Sequence, residues 1–172
     1  MLATRWHARL AAVSHPSLGL PPLDETAGHP AAASALRAAT RRVADRALEA
    51  AVAADPTFRD RYDELRLREL LADLQAFTAR LATAIAADDT SVMASWAETV
   101  AVRYRKRSVP MDDVIALCEG LRRSIRGVVE PAALPSADAA LDVAIKAFRW
   151  HRRLAGDAHK RHPLVAFIYK GA

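Results

Sequence analysis

Leu67, Leu70, Leu74, Phe77, Leu81 and Ile85 recur at intervals of three and four residues in a stretch free of proline and glycine. That spacing puts all six side chains on one face of an α-helix, and a helix with one apolar face is stable only when neighbours cover it. The rest of the chain offers such neighbours. Met93, Trp96, Val100 and Tyr104 form a second stripe; Val114, Cys118, Leu121, Ile125 and Val128 a third; Leu141, Ile145, Phe148 and His151 a fourth. Leu36, Val43, Ala47 and Ala51 mark an earlier, alanine-rich face. No window shows the β-branched alternation of strands. Alanine supplies much of the 52% apolar content while aromatics make up only 6%, and alanine is the best helix former. These features predict an all-α fold: an antiparallel bundle or globin-like packing of about five helices.

Turn and cap residues divide the chain. A helix is expected over residues 31–53, ended by Asp55-Pro56, because proline disfavours a helical residue before it. Thr57 is placed to cap a long helix over 58–87, and the polar run 88–91 to cap the next, over 92–107. Pro110 opens a helix whose first turn carries Asp112 and Asp113, at the positive end of its dipole. Residues 130–135, with two prolines, read as a loop, and Ser136 as the cap of a last helix over 137–159. At the front, Trp6, Leu10 and Val13 suit a short helix over 3–13. Pro16, Pro21, Pro22 and Pro30 then make residues 14–30 an extended arm. The expected organisation is an arm over 1–30 and a helical domain over 31–172, whose apolar tail from Pro163 packs back or swaps onto a partner.

A chain of 172 residues buries roughly 70% of its unfolded surface and needs no disulfide or metal to fold. Cys118 is the only cysteine. On an apolar stripe it reads as an inert core thiol. No stretch is expected to supply the roughly 20 apolar residues of a membrane span, and the first 20 residues lack the apolar core of a secretory signal. These points suggest a cytoplasmic protein.

The net charge of +5 is unevenly spread: residues 55–102 carry a net −4 and residues 103–172 a net +7. The basic positions form a constellation of Arg103, Arg105, Lys106, Arg107, Arg122, Arg123, Arg126, Lys146, Arg149, Arg152, Arg153, Lys160 and Arg161. Arg122 and Arg126 share a helix face at four-residue spacing, as do Arg149 and Arg153. Such faces can meet an acidic protein partner, the acidic stretch between Asp60 and Asp73 of the same or another chain, or nucleic-acid phosphates. Few aromatics accompany them (Tyr104, Trp150, Tyr169), and no known nucleic-acid-binding motif is present.

The segment from about Leu71 to Val129 resembles the N-terminal sensor region of stressosome RsbR-type proteins. The matching features are Ala-Ile-Ala-Ala-Asp-Asp at 84–89, Met-Ala-Ser-Trp-Ala-Glu at 93–98, and Arg-Tyr-Arg-Lys-Arg at 103–107. Val-Pro-Met-Asp-Asp-Val-Ile at 109–115 and Leu-Arg-Arg-Ser-Ile at 121–125 complete them. Ser108 stands where that family often has glycine. The resemblance implies a sensor or interaction domain with a globin-like fold, dimeric, and without the output domain that usually follows.

Candidate chemistry is sparse. His151 lies on an apolar stripe beside Phe148, where it reads as a core histidine or as a ligand to haem or another apolar molecule. His159 and His162 are close enough to share a metal, though they equally suit a helix C-terminus. No phosphate loop, metalloprotease motif or nucleophile elbow occurs. The expected function is a non-catalytic sensor, scaffold or accessory subunit that binds a protein partner through its basic C-terminal half. The alternatives are a nucleic-acid or ribosome-associated protein and a haem or apolar-ligand sensor.

Overall fold

Seven α-helices account for most of residues 22–155, the part of the chain that the structure, a computed structural model, describes. They are α1 (Pro30–Ala38), α2 (Thr40–Ala54), α3 (Phe58–Arg61), α4 (Glu64–Ala87), α5 (Ser91–Lys106), α6 (Met111–Ile125) and α7 (Leu134–Ala155), with one 3-10 turn at Pro131–Ala133. There is no strand among the described residues. The fold is an all-α bundle. The expected short helix over 3–13, much of the arm and the tail from Pro163 lie outside the described residues, as do His159 and His162.

Three boundaries differ from those expected, each for a local reason. The first expected helix is broken at Ala39, whose backbone leaves the helical region at φ −98°, ψ 6°. The Thr40 hydroxyl donates back to the Arg37 carbonyl at 2.8 Å, competing with the helical ladder. The bend allows Ala32, Ala33 and Leu36 of α1 to pack on α4, while Val43, Ala44, Ala47 and Ala51 of α2 face α6 as well. The long central helix likewise does not begin at Phe58. Tyr62 and Asp63 are extended, and the Asp63 carboxylate caps α4 by accepting the Arg66 N–H at 2.8 Å. Thr57 caps nothing, since its N–H and hydroxyl both donate to Asp55. The last helix begins early: Pro135 is tolerated in its first turn, so the expected loop is a 3-10 turn running into helix, and Ser136 lies inside α7.

α4 is the centre of the packing, in contact with α1, α2, α5 and α7, while α6 closes the circuit between α2 and α7. Its expected stripe is buried from Leu70 to Ile85, with Leu67 only half-buried. Each fully buried side chain of this kind contributes about 1.5–3 kcal/mol. Phe77 meets the rings of Phe148 at 5.9 Å and Trp96 at 6.2 Å, and Tyr104 meets Phe148 at 6.5 Å. One helix departs from the expectation about membrane spans: α4, at 24 residues, is long and apolar enough by length and composition to cross a bilayer. In this fold it is the central core helix.

Close approach between backbones depends on two glycines. The end of the arm joins the domain through hydrogen bonds from Gly28 N–H to the Ala86 carbonyl (2.8 Å) and from His29 N–H to the Ile85 carbonyl (2.9 Å). A Cβ on Gly28 would lie 2.5 Å from the Ile85 oxygen. On α6, a Cβ on Gly120 would lie 2.3 Å from the Ala47 carbonyl oxygen of α2. Ser108, between α5 and α6, has φ 56°, the left-handed conformation that glycine adopts at no steric cost.

Candidate functional site

The C-terminal cations fall into two groups. One group is consumed by the fold. Arg107 donates to Asp73 and Glu69 of α4, both at 2.8 Å, with its guanidinium 5.8 Å from the Tyr104 ring centroid. Arg122 donates to Glu119 and Asp138 at 3.1 Å and to Asp142 at 2.5 Å, tying α6 to α7. Arg126 lies 3.7 Å from Asp138, Arg123 donates to the Ala50 carbonyl at 3.2 Å, and Arg152 to Asp112 at 2.5 Å. Burial pulls the Arg107 and Arg122 pKa values down. Hydrogen bonds, chiefly to Asp73 and Asp142 respectively, outweigh it and leave both raised. Arg107 thus meets the acidic stretch of its own chain.

The second group, Arg103, Arg105 and Lys106 on α5 with Lys146, Arg149 and Arg153 on α7, is exposed and holds no ion pair among the described residues. On α7, Lys146, Arg149, Trp150 and Arg153 are spaced as i, i+3, i+4 and i+7 and share one face. Trp150 lies two residues, about 200°, from the buried Phe148 and is 54% exposed. Glu98 pairs with His151 and Tyr104 with Phe148, so α5 and α7 run antiparallel. Between them lies an open groove of about 630 Å³, floored by Ala94, Val143 and Ala147 and rimmed by Glu98, Lys146, Arg149, Trp150 and Arg153. Val102, also exposed, is one turn beyond Glu98 on the same row of α5.

His151 and Phe148 sit beneath this groove. Phe148 is fully buried within the aromatic cluster. His151 is 7% exposed, and its Nε2 lies 2.7 Å from Glu98 Oε2. A carboxylate only accepts, so Nε2 carries the hydrogen. Nδ1 is buried without a partner, as is Trp96 Nε1, whose ring lies under the Arg80 guanidinium at 5.1 Å. A haem or other ligand at Nε2 would have to displace Glu98. Among the described residues no three His, Cys, Asp or Glu side chains gather as a metal site. Burial pushes the Cys118 thiol up to about 12, which makes it a poor nucleophile.

A second, smaller cleft of about 200 Å³ is lined by Arg61, Tyr62, Arg66, Arg107 and residues 108–110. Behind it, Asp113 is 2% exposed and accepts two hydrogen bonds from Arg61 (3.0 and 2.7 Å) and one from the Tyr62 hydroxyl (2.7 Å). Arg61 also donates to Asp55 at 2.8 Å. Asp113 is therefore an inward-facing clasp between α6 and the α3 turn, more than a dipole partner. The cleft's three guanidiniums are already bound by Asp55, Asp113, Glu69 and Asp73, so an added anion would find little unpaired charge there.

No known protein family, curated protein or solved structure matches this chain.

Of the expected site residues, the fold brings Arg149 and Arg153 together on the groove. It leaves Arg103, Arg105 and Lys106 exposed on α5, and turns Arg107 and Arg122 into ion-pair hubs. Trp150 and Glu98 were not singled out as site residues from the sequence. Trp150 carried a legible signal: a large aromatic off the apolar stripe of its helix, among three cations. Glu98 carried none, because only the packing of α5 on α7 places it beside His151.

Proposed function

We propose that this chain is a non-catalytic sensor, scaffold or accessory domain that docks on a protein partner with its basic C-terminal half, using the groove between α5 and α7. The observation that carries the reading is Trp150, left 54% exposed while Lys146, Arg149 and Arg153 around it hold no carboxylate among the described residues. Aromatic and arginine side chains in a concave patch are the groups that dominate protein–protein binding energy. Cys118, with its raised thiol pKa, and Asp113, clasped by Arg61 and Tyr62, are both committed to the core, which favours binding over catalysis. The sensor-region resemblance over about 71–129, spanning most of α4, α5 and α6, agrees with such a role.

The test is the size of the native assembly. The full-length chain, tagged and expressed in its own cells, should sediment with a partner and be heavier than the purified chain alone. Trp150→Glu should return it to the size of the lone chain with its helicity unchanged. Sedimentation unaffected by that change would count against the groove. A nucleic-acid reading has its own observation, the unpaired Arg103, Arg105 and Lys106 at the end of α5, and predicts an assembly that nuclease treatment disperses.

A further inference from the structure

Resting on the docking reading above, we infer that the occupant of the α5–α7 groove is an acidic amphipathic helix. Its carboxylates meet Lys146, Arg149 and Arg153, and its apolar side chains lie against Trp150 on the alanine and valine floor.

Charge complementarity is the first argument. Most other arginines of the C-terminal helices are neutralised or engaged within the fold: Arg107 by Asp73 and Glu69, Arg122 by three carboxylates, Arg152 by Asp112. The groove's own carboxylate, Glu98, is bound by His151. Among the described residues, three cations without an ion pair therefore surround an exposed tryptophan and outnumber the groove's single carboxylate. The sequence on either side of the described residues is poor in acids. Residues 1–21 carry Arg5 and Arg9 and no acid, and residues 156–172 carry Asp157 against Lys160, Arg161 and Lys170. A second copy docking through the same face would set three cations against three, a costly arrangement.

Shape supplies the second argument. The groove runs between two antiparallel helices, and the described residues include no strand edge to extend, which leaves the helix-in-groove mode of recognition. The cations recur at i, i+3 and i+7 over about 10 Å, two turns of helix. Acids at matching spacing on a docked helix would face them in register. The small floor residues Ala94, Val143 and Ala147 leave room for leucine-sized or aromatic side chains. Phosphates would gain nothing from that apolar floor, so the groove favours a peptide over nucleic acid.

The probe is a labelled synthetic helix of roughly four turns, with leucines at i, i+3, i+4 and i+7 and glutamates elsewhere, titrated into the full-length chain by fluorescence anisotropy. Binding should saturate and weaken with added salt. Trp150→Ala and the double change Arg149→Glu with Arg153→Glu should each cut affinity about tenfold or more. Lysines in place of the glutamates should abolish binding. Circular dichroism should be unchanged, since all three positions are exposed; Trp150→Gln and Lys146→Gln repeat the measurement should either variant lose helicity. Absent binding, or binding indifferent to these changes, overturns the inference. So does a purified dimer that Trp150→Ala dissociates, or single-stranded RNA that binds through the same residues in place of the peptide. If the peptide fails while Trp150→Glu still releases the chain from its native assembly, docking stands and the acidic helix is wrong; if neither responds, both fall.

Discussion

Replacing Gly120 with alanine tests the close approach of α6 to α2. Two effects of opposite sign compete. In a helix interior alanine is favoured over glycine by about 1 kcal/mol, so on an isolated α6 the change would stabilise. In the fold, the new Cβ would lie 2.3 Å from the Ala47 carbonyl oxygen and 3.1 Å from its carbon. Ordinary contact begins at 3.4 Å, so α2 and α6 must separate by about 1 Å. The obstacle is backbone, which no rotamer change can move. Overpacking costs about 1–3 kcal/mol, and a backbone clash falls at the upper end, leaving a net loss of about 2 kcal/mol. For a chain of this size that lowers Tm by roughly 4–8 °C. Urea unfolding followed by far-UV circular dichroism measures it, with Gly127→Ala as the control. Gly127 has nothing within 4 Å of its would-be Cβ, so that change should be neutral or stabilise by a few tenths to about 1 kcal/mol. Adding Ala47→Gly to Gly120→Ala should bring no rescue, because the clashing atom is a carbonyl oxygen that glycine retains. A Gly120→Ala protein as stable as the parent would refute the close packing of α2 on α6.

Other consequences follow from the ion pairs and the turn. Asp113→Ala leaves Arg61, itself largely buried, without its bidentate partner and should cost about 3 kcal/mol in denaturant titration, whereas Tyr62→Phe should cost about 1 kcal/mol. Asp55 is lowered from 3.8 to about 2, first by the Thr57 hydroxyl and then by Arg61. Its contribution should be fully present above pH 3.8 and be lost as pH falls through about 2, so the gap between wild type and Asp55→Asn should close over that window of an acid titration. Arg122→Glu puts a fourth carboxylate beside Glu119, Asp138 and Asp142. It should destabilise by about 1–2 kcal/mol, whereas Arg149→Glu, exposed and unpaired, should leave thermal unfolding within about 0.5 kcal/mol of wild type. Ser108→Gly should raise stability by about 0.5–1 kcal/mol, because φ 56° strains any side chain bearing a Cβ.

Helix content and inward faces were legible in the residues alone, because periodicity is a local property. Leu70, Leu74, Phe77, Leu81 and Ile85 are buried as their spacing required, as are Val114, Cys118, Leu121 and Ile125. Breaks were less legible. Thr40 and Asp63 end or begin helices through side-chain hydrogen bonds that compete with a ladder the same residues could have continued.

Charge was where one-dimensional reading stopped. Arg107, Arg122 and Arg149 look alike in sequence, each a cation on a helical segment with acids some way off. Only the packing of α5 on α4, and of α6 on α7, brings Asp73 and Glu69 to Arg107, and Asp138 and Asp142 to Arg122, while leaving Arg149 beside Trp150 with no ion pair among the described residues. A stripe of apolar residues specifies that a face will be covered, since burial depends on area and has no direction. Which cation remains free depends on distances between helices, and those exist only once the chain has folded.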